Sequence, residues 1–184
     1  MDPLQRSVRY LRLALSRQPR IDAHDVSRMR MRVWPSDLDE LRHVNNGVYL
    51  STMDLPRFDL MRRAGIWPKL KARGIYPVVA AQTISYRKSL QLWQRYDVES
   101  AIVGYDERAV YLEQRFVVDG EIYARGFVAG RFLRKTGGVV PMAELGEIAG
   151  IDIAAHPAPE WMREWAAAIA LPSTRAEAPS EWMR

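Results

Sequence analysis

The sequence predicts an α+β fold in which a five-stranded antiparallel sheet wraps around one long apolar helix. Three observations carry this. Residues 46–64 hold Val48, Tyr49, Leu50, Met53, Leu55, Phe58, Leu60 and Met61, apolar almost all round, as in a helix buried at the centre of a fold. A strand-like stretch precedes that segment. Four long strand-like stretches follow it, with turn residues between them.

The elements follow in order. Residues 28–34 alternate Met29, Met31 and Val33 with Arg28, Arg30 and Arg32, the period of a half-buried strand, and Pro35 ends it. A polar loop leads to Asn45 and Asn46, both helix-capping types. The helix closes at Gly65, and Pro56 inside it predicts a kink, because proline removes one backbone hydrogen bond. Residues 76–86 form one long apolar run. Residues 96–103 put Asp97 and Glu99 on one face, and residues 109–118 point Glu113 and Arg115 outward. Asp119-Gly120 is a hairpin turn. Residues 121–133 return with Ile122, Ala124, Gly126, Val128, Gly130 and Phe132 on one face, where the two glycines predict close approach by something bulky, the buried helix being the candidate. Short helices are expected near 142–149 and 160–170.

Composition narrows the function classes. The chain has 184 residues, 48% hydrophobic and 27% charged, enough for one domain with a substantial core. It has no cysteine, which removes disulfides, thiolate metal sites and Cys nucleophiles and fits a reducing compartment. Three scattered histidines, His24, His43 and His156, make no convincing zinc site. The net charge of +5 resides in residues 1–32, which hold eight Arg and three Asp. The remainder is neutral, which argues against a nucleic-acid-binding body. No run of 18 apolar residues exists, and Arg6, Arg9, Arg12 and Arg17 interrupt any signal-peptide core, so a cytoplasmic location is expected. Leu4, Val8, Leu11 and Leu15 recur at helical spacing among arginines, a short basic amphipathic helix. It packs on the domain, frays, or makes a weak membrane-surface contact through residues 1–20. Residues 18–27 read as a linker, giving a basic segment over 1–27, a main domain over 28–150 and a helical tail over 151–184.

The richest stretch is residues 37–50, DLDELRHVNNGVYL. Carboxylates sit directly ahead of a helix start, whose free backbone N–H groups can hold a developing oxyanion. A carboxylate there can activate water, or attack, at the same carbonyl.

This stretch resembles the acyl-CoA thioesterases of the 4-hydroxybenzoyl-CoA thioesterase type, which have the hotdog fold. Their pattern D-x-D-x-x-G-H-V-N-N-x-x-Y-L is matched by Asp37, Asp39, His43, Val44, Asn45, Asn46, Tyr49 and Leu50, with Asp54 and Arg57 at the acidic and basic positions downstream. SYRKSL (85–90), VGYDERAVYLEQRF (103–116) and GEIYARG (120–126) extend the likeness, which takes in bacterial relatives of thioesterase superfamily member six. The family's glycine before the histidine is Arg42 here.

The resemblance implies hydrolysis of an acyl-CoA to a carboxylic acid and CoA, with no metal and no bound cofactor, at sites formed between protomers of a homodimer or tetramer. By that register Asp39 is the nucleophile or general base, with loop organisation as its plainer role, and Asp37 shapes the loop. The Asn46 N–H faces the thioester carbonyl, while the Asn45 and Asn46 side chains serve as caps. His43 is a second base or a loop residue. Tyr49 lines the acyl pocket or belongs to the core. Asp54 pairs with Arg57 or a partner subunit, or is itself the base. Arg87 and Lys88 are candidate contacts for the CoA phosphates, or simply a solvated strand end. The alternative function is a non-catalytic acyl-CoA or lipid-binding protein of the same fold.

Overall fold

The computed structural model describes residues 18–173, 175–180 and 182. The basic amphipathic segment expected over residues 4–16 lies outside them. Five strands form one antiparallel sheet: β1 (Ser27–Arg32), β2 (Ile75–Tyr86), β3 (Arg95–Tyr105), β4 (Val110–Val118) and β5 (Glu121–Arg134). Their spatial order is β1-β3-β4-β5-β2, so β1 and β2 are the edges. The β4–β5 connection turns at Asp119-Gly120, both at positive φ (50° and 82°), as a tight hairpin of the right twist requires. Across β1 and β3, Arg28 pairs with Glu99 and Arg30 with Asp97, so part of the N-terminal charge excess is matched on the neighbouring strand.

The central helix is not continuous. It runs as α1 (Asn46–Thr52) and α2 (Asp54–Arg63), divided at Met53. Pro56 has no N–H to give the Thr52 carbonyl, and its ring crowds that same group, so the ladder breaks directly after Thr52. Gln114 on β4 bonds the residue at the division: its Nε2 donates to the Met53 carbonyl at 3.0 Å, which also accepts from Arg57 N–H at 3.4 Å. Gly65 (φ 69°) ends α2, and a third helix, α3 (Ile66–Ala72), follows with Ile66 and Leu70 buried. Sequence periodicity left α3 unassigned, since it is about two turns long and holds Pro68 in its first turn.

The helices lie on the sheet's inner face, where Met53, Leu60, Val98, Phe116, Ala124 and Val128 are almost fully buried. Gly126 admits the Met53 side chain, because a Cβ there would meet Met53 Cε at 2.6 Å. The expected helix approach is therefore real at Gly126. At Gly130 the neighbour is instead Val110 of β4, at 3.2 Å.

Two segments read as linker and tail dock on the domain. Ile21 N–H donates to the Arg63 carbonyl, Arg63 Nε donates to the Pro19 carbonyl at 2.9 Å, and His24 stacks on His156 at 3.8 Å. Residues 156–158 bond the end of β3 on both sides of Tyr105. After α4 (Met142–Ala149), α5 (Glu160–Ala168) buries Met162 against Ala109, Tyr111 and Ala129 on the outer sheet face.

Candidate functional site

The loop between β1 and α1 is a small knot of backbone hydrogen bonds. Leu38 and Val44 form an isolated antiparallel bridge, and Asp39 N–H donates to the His43 carbonyl at 2.8 Å. Inside the knot, Asp39 Oδ1 accepts from the N–H groups of Leu41 (2.9 Å) and His43 (3.1 Å). One carboxylate oxygen thus shapes the loop, in the way short acidic side chains commonly do. Arg42 sits at φ 60°, the left-handed region that glycine adopts more readily than arginine. Asp37 is buried, its Oδ2 accepts from Trp34 N–H at 3.0 Å, and its carbonyl accepts from Asn45 N–H at 2.9 Å.

Asn45 caps α1, its Oδ1 accepting from Gly47 N–H at 2.8 Å. Val48 N–H turns back to the Asn45 carbonyl, leaving the Asn46 N–H at the head of the helix. The Asn46 carbonyl is engaged by the Tyr86 hydroxyl at 3.3 Å, which ties the helix start to the end of β2. Asp39, His43 and Asn46 are therefore brought together on one loop and helix start, with His43 and Asn46 exposed and Asp39 half-buried.

Tyr49 belongs to the core. It is buried, its hydroxyl accepts from Leu90 N–H at 3.1 Å, and its ring meets Tyr86 and Phe116 edge-on at 5.2 and 5.0 Å. Burial pushes its phenol pKa up. Arg87 and Lys88, next along the chain from Tyr86, each donate to Glu121 at 2.6 Å. These bonds, Lys88 first and then Arg87, hold the Glu121 carboxyl below the usual range. One carboxylate shared by two cations leaves a positive excess at this strand end.

Asp54 stands apart from that group. It pairs with Arg57 and, with it, lines a cavity of about 340 Å³ between α2 and the inner sheet face. Leu112, Val128, Gly130 and Phe132 form the apolar sheet side of this cavity, and Asp39 is not among the residues around it. Arg57 Nη1 donates to Gln114 Oε1 at 2.7 Å, and Gln114 Nε2 also donates to Ser100 Oγ at 2.8 Å. Gln114 and Ser100 are fully buried. Sequence reasoning passed over Gln114, although a signal existed: with Glu113 and Arg115 outward, parity places Gln114 inward, and a polar residue at a core position calls for partners. Among the described residues, no cluster of three His, Asp or Glu could hold a metal ion, and no helix is long and apolar enough to cross a membrane.

A split central helix in a five-stranded antiparallel sheet of this order defines the hotdog fold, and solved structures agree. YbaW, a probable thioesterase of Escherichia coli, superposes with a TM-score of 0.62 over 66% of this chain and 95% of its own, at 23% identity. A gentisyl-coenzyme A thioesterase, BH1999, does so with a TM-score of 0.59 over 65% and 98%, at 18% identity. The thioesterase-like superfamily model matches residues 33–166, and the chain belongs to that family. Protein THEM6 of Xenopus laevis is 41% identical over 85 residues, covering 46% of this chain and 41% of that protein. Protein THEM6 of Danio rerio is 38% identical over 102 residues, covering 55% and 48%. The chain thus spans less than half the length of these two relatives.

Proposed function

We propose that the chain is an acyl-CoA thioesterase that releases a carboxylic acid and CoA with carboxylate assistance and without a metal. The observation that supports this is that Asp39, its Oδ1 held by Leu41 and His43, lies in the loop that leads directly into the helix starting at Asn46, in a member of the thioesterase-like superfamily. In the proposed step, Asp39 takes a proton from water as the water oxygen bonds to the thioester carbonyl carbon. The carbonyl oxygen takes up negative charge against the Asn46 N–H. The C–S bond then breaks and the proton passes to the departing sulfur, giving acid and thiol. Asp39 Oδ1, held by Leu41 and His43, fixes the plane of the carboxylate and leaves Oδ2 to meet the water. Arg87 and Lys88 supply positive charge for the CoA phosphates, and the apolar cavity beside Asp54 houses the acyl group.

The cavity and Asp39 join into one site if two copies pair. The edge strand β2 supports this: it is twelve residues long, its outer edge pairs with no strand among the described residues, and Tyr76, Val79 and Tyr86 on it are exposed. In the proposed pair, two copies join along β2, covering that edge, and the loop of one protomer and the cavity of the other make up one site.

The test is thiol release from a panel of acyl-CoAs, with Asp39→Asn as the variant. Activity should fall by at least roughly 10²-fold with the melting temperature nearly unchanged. If Asp54→Asn is inactive while Asp39→Asn is not, the working carboxylate is on α2. If no acyl-CoA releases thiol, the chain is an acyl-CoA or lipid binder. Light scattering showing a monomer that still turns over thioesters would sink the shared site.

A further inference from the structure

We infer that Tyr105 is the chain-length stop of this cavity, so that the acyl group it takes is a straight chain of medium length; the inference rests on the acyl-CoA reading above. Four of the residues lining the cavity form one cross-strand row. Val79 on β2 lies opposite Gly130 on β5, Gly130 opposite Val110 on β4, and Val110 opposite Tyr105 on β3. Val79 stands on the open edge, 43% exposed, and Tyr105 at the inner end, 4% exposed. Gly130 has no side chain and Val110 Cγ1 leans toward that space, 3.2 Å from where a Cβ would stand, so the cavity passes over a low floor between the two ends. Three strand spacings separate the ends, about 14 Å. An extended alkyl chain advances about 1.3 Å per methylene on bonds of about 1.5 Å, so that span accepts roughly ten carbons.

Tyr105 is held as a wall from several sides. Its hydroxyl is 3.3 Å from His24 Nε2, its ring meets the His24 ring edge-on at 5.8 Å, and His24 is itself stacked on His156. Its backbone N–H donates to the His156 carbonyl at 2.9 Å, and its carbonyl accepts from Ala158 N–H at 2.8 Å. The segment before β1 and the segment before α5 therefore clamp the same residue. The wall is also thin. Tyr105 and Ile151 line both the inner cavity and a groove on its far side, beside Tyr111, Ala129 and α5. Truncating either side chain opens the cavity toward that groove.

The experiment uses the full chain and straight-chain S-alkyl-CoA thioethers, which cannot be hydrolysed, with binding measured by calorimetry. Affinity of the unmodified protein should rise by roughly fourfold per methylene and stop rising near ten carbons. In Tyr105→Ala the break should move outward by about four carbons or more. Tyr105→Phe keeps the ring and should keep the break. If Tyr105→Ala does not fold, Ile151→Ala opens the same partition and should also move the break outward. A break at the same length in the unmodified protein and in a folded Tyr105→Ala or Ile151→Ala variant overturns the inference. So does equal gain per methylene out to about sixteen carbons in the unmodified protein. A length break in thioether binding without hydrolysis of any acyl-CoA would retain the stop and remove the thioesterase reading. Hydrolysis without a break would do the reverse.

Discussion

Replacing Gln114 with leucine should cost substantial stability. Gln114 is fully buried and makes three hydrogen bonds: it donates to Met53 O and Ser100 Oγ and accepts from the Arg57 guanidinium. Leucine fills nearly the same volume, so cavity formation adds little, and the loss is polar. Each neutral bond contributes about 1 kcal/mol and the charge-assisted one about 1.5–3 kcal/mol, while extra apolar burial offsets part of the sum. We expect a net loss of about 3 kcal/mol. For a domain of this size 1 kcal/mol moves the melting temperature by about 2–4 °C, so the fall should be about 6–12 °C. The assay is thermal and urea unfolding at fixed protein concentration, since self-association would shift both. The double variant Gln114→Leu with Arg57→Met should recover about 1 kcal/mol or more relative to additivity, because the buried charge leaves with its partner. A loss below about 1 kcal/mol, or strict additivity in the double variant, would refute the view that Gln114 ties Arg57 and the central helix to the sheet.

Arg42→Gly should raise the unfolding free energy by about 0.5–1 kcal/mol, because φ 60° costs an L-residue about 1–2 kcal/mol and the freer unfolded chain of glycine offsets part of that gain; an unchanged or lower denaturant midpoint would contradict it. Gly126→Ala should lose about 1–3 kcal/mol, since the new Cβ lies 2.6 Å from Met53 Cε and 3.0 Å from the Thr83 carbonyl oxygen, and urea denaturation reads the loss. Stability should also fall on acidification in a window set by His24. Burial, and then the His156 charge, hold its pKa below 6.5, with Asp22 opposing, while the Tyr105 hydroxyl faces its Nε2. The unfolded chain therefore takes up the proton first. The stabilisation is complete above about pH 6.5, is lost as pH falls from there to the folded-state value, and stays level below it. Melting curves of His24→Gln across this range should lack that slope, and equal slopes in both proteins would refute the assignment.

Much of the fold was legible in local pattern. An apolar run located the first strand after the helix, and alternation the next three, each to within a residue or two, because one face of each packs on the core. Gly65, Asp119-Gly120 and the Asn45 cap were readable because their conformations are set by the residue itself and its near neighbours. The grouping of Asp39, His43 and Asn46 was readable for the same reason, since one loop carries all three. What the tertiary structure decided are relations between residues far apart in sequence. Pro56 announced a kink, but the bond from Gln114 on β4 to the Met53 carbonyl at that kink appears only in the packed chain. The clamp on Tyr105 needs His24 and His156 from the two segments that composition marked as linker and tail. The separation of Asp54 from Asp39 depends on which side of a broken helix faces the cavity. Periodicity reports which face of an element is apolar. It does not specify the distant group that satisfies a buried carbonyl or closes the end of a cavity, because that partner is chosen only when the chain packs.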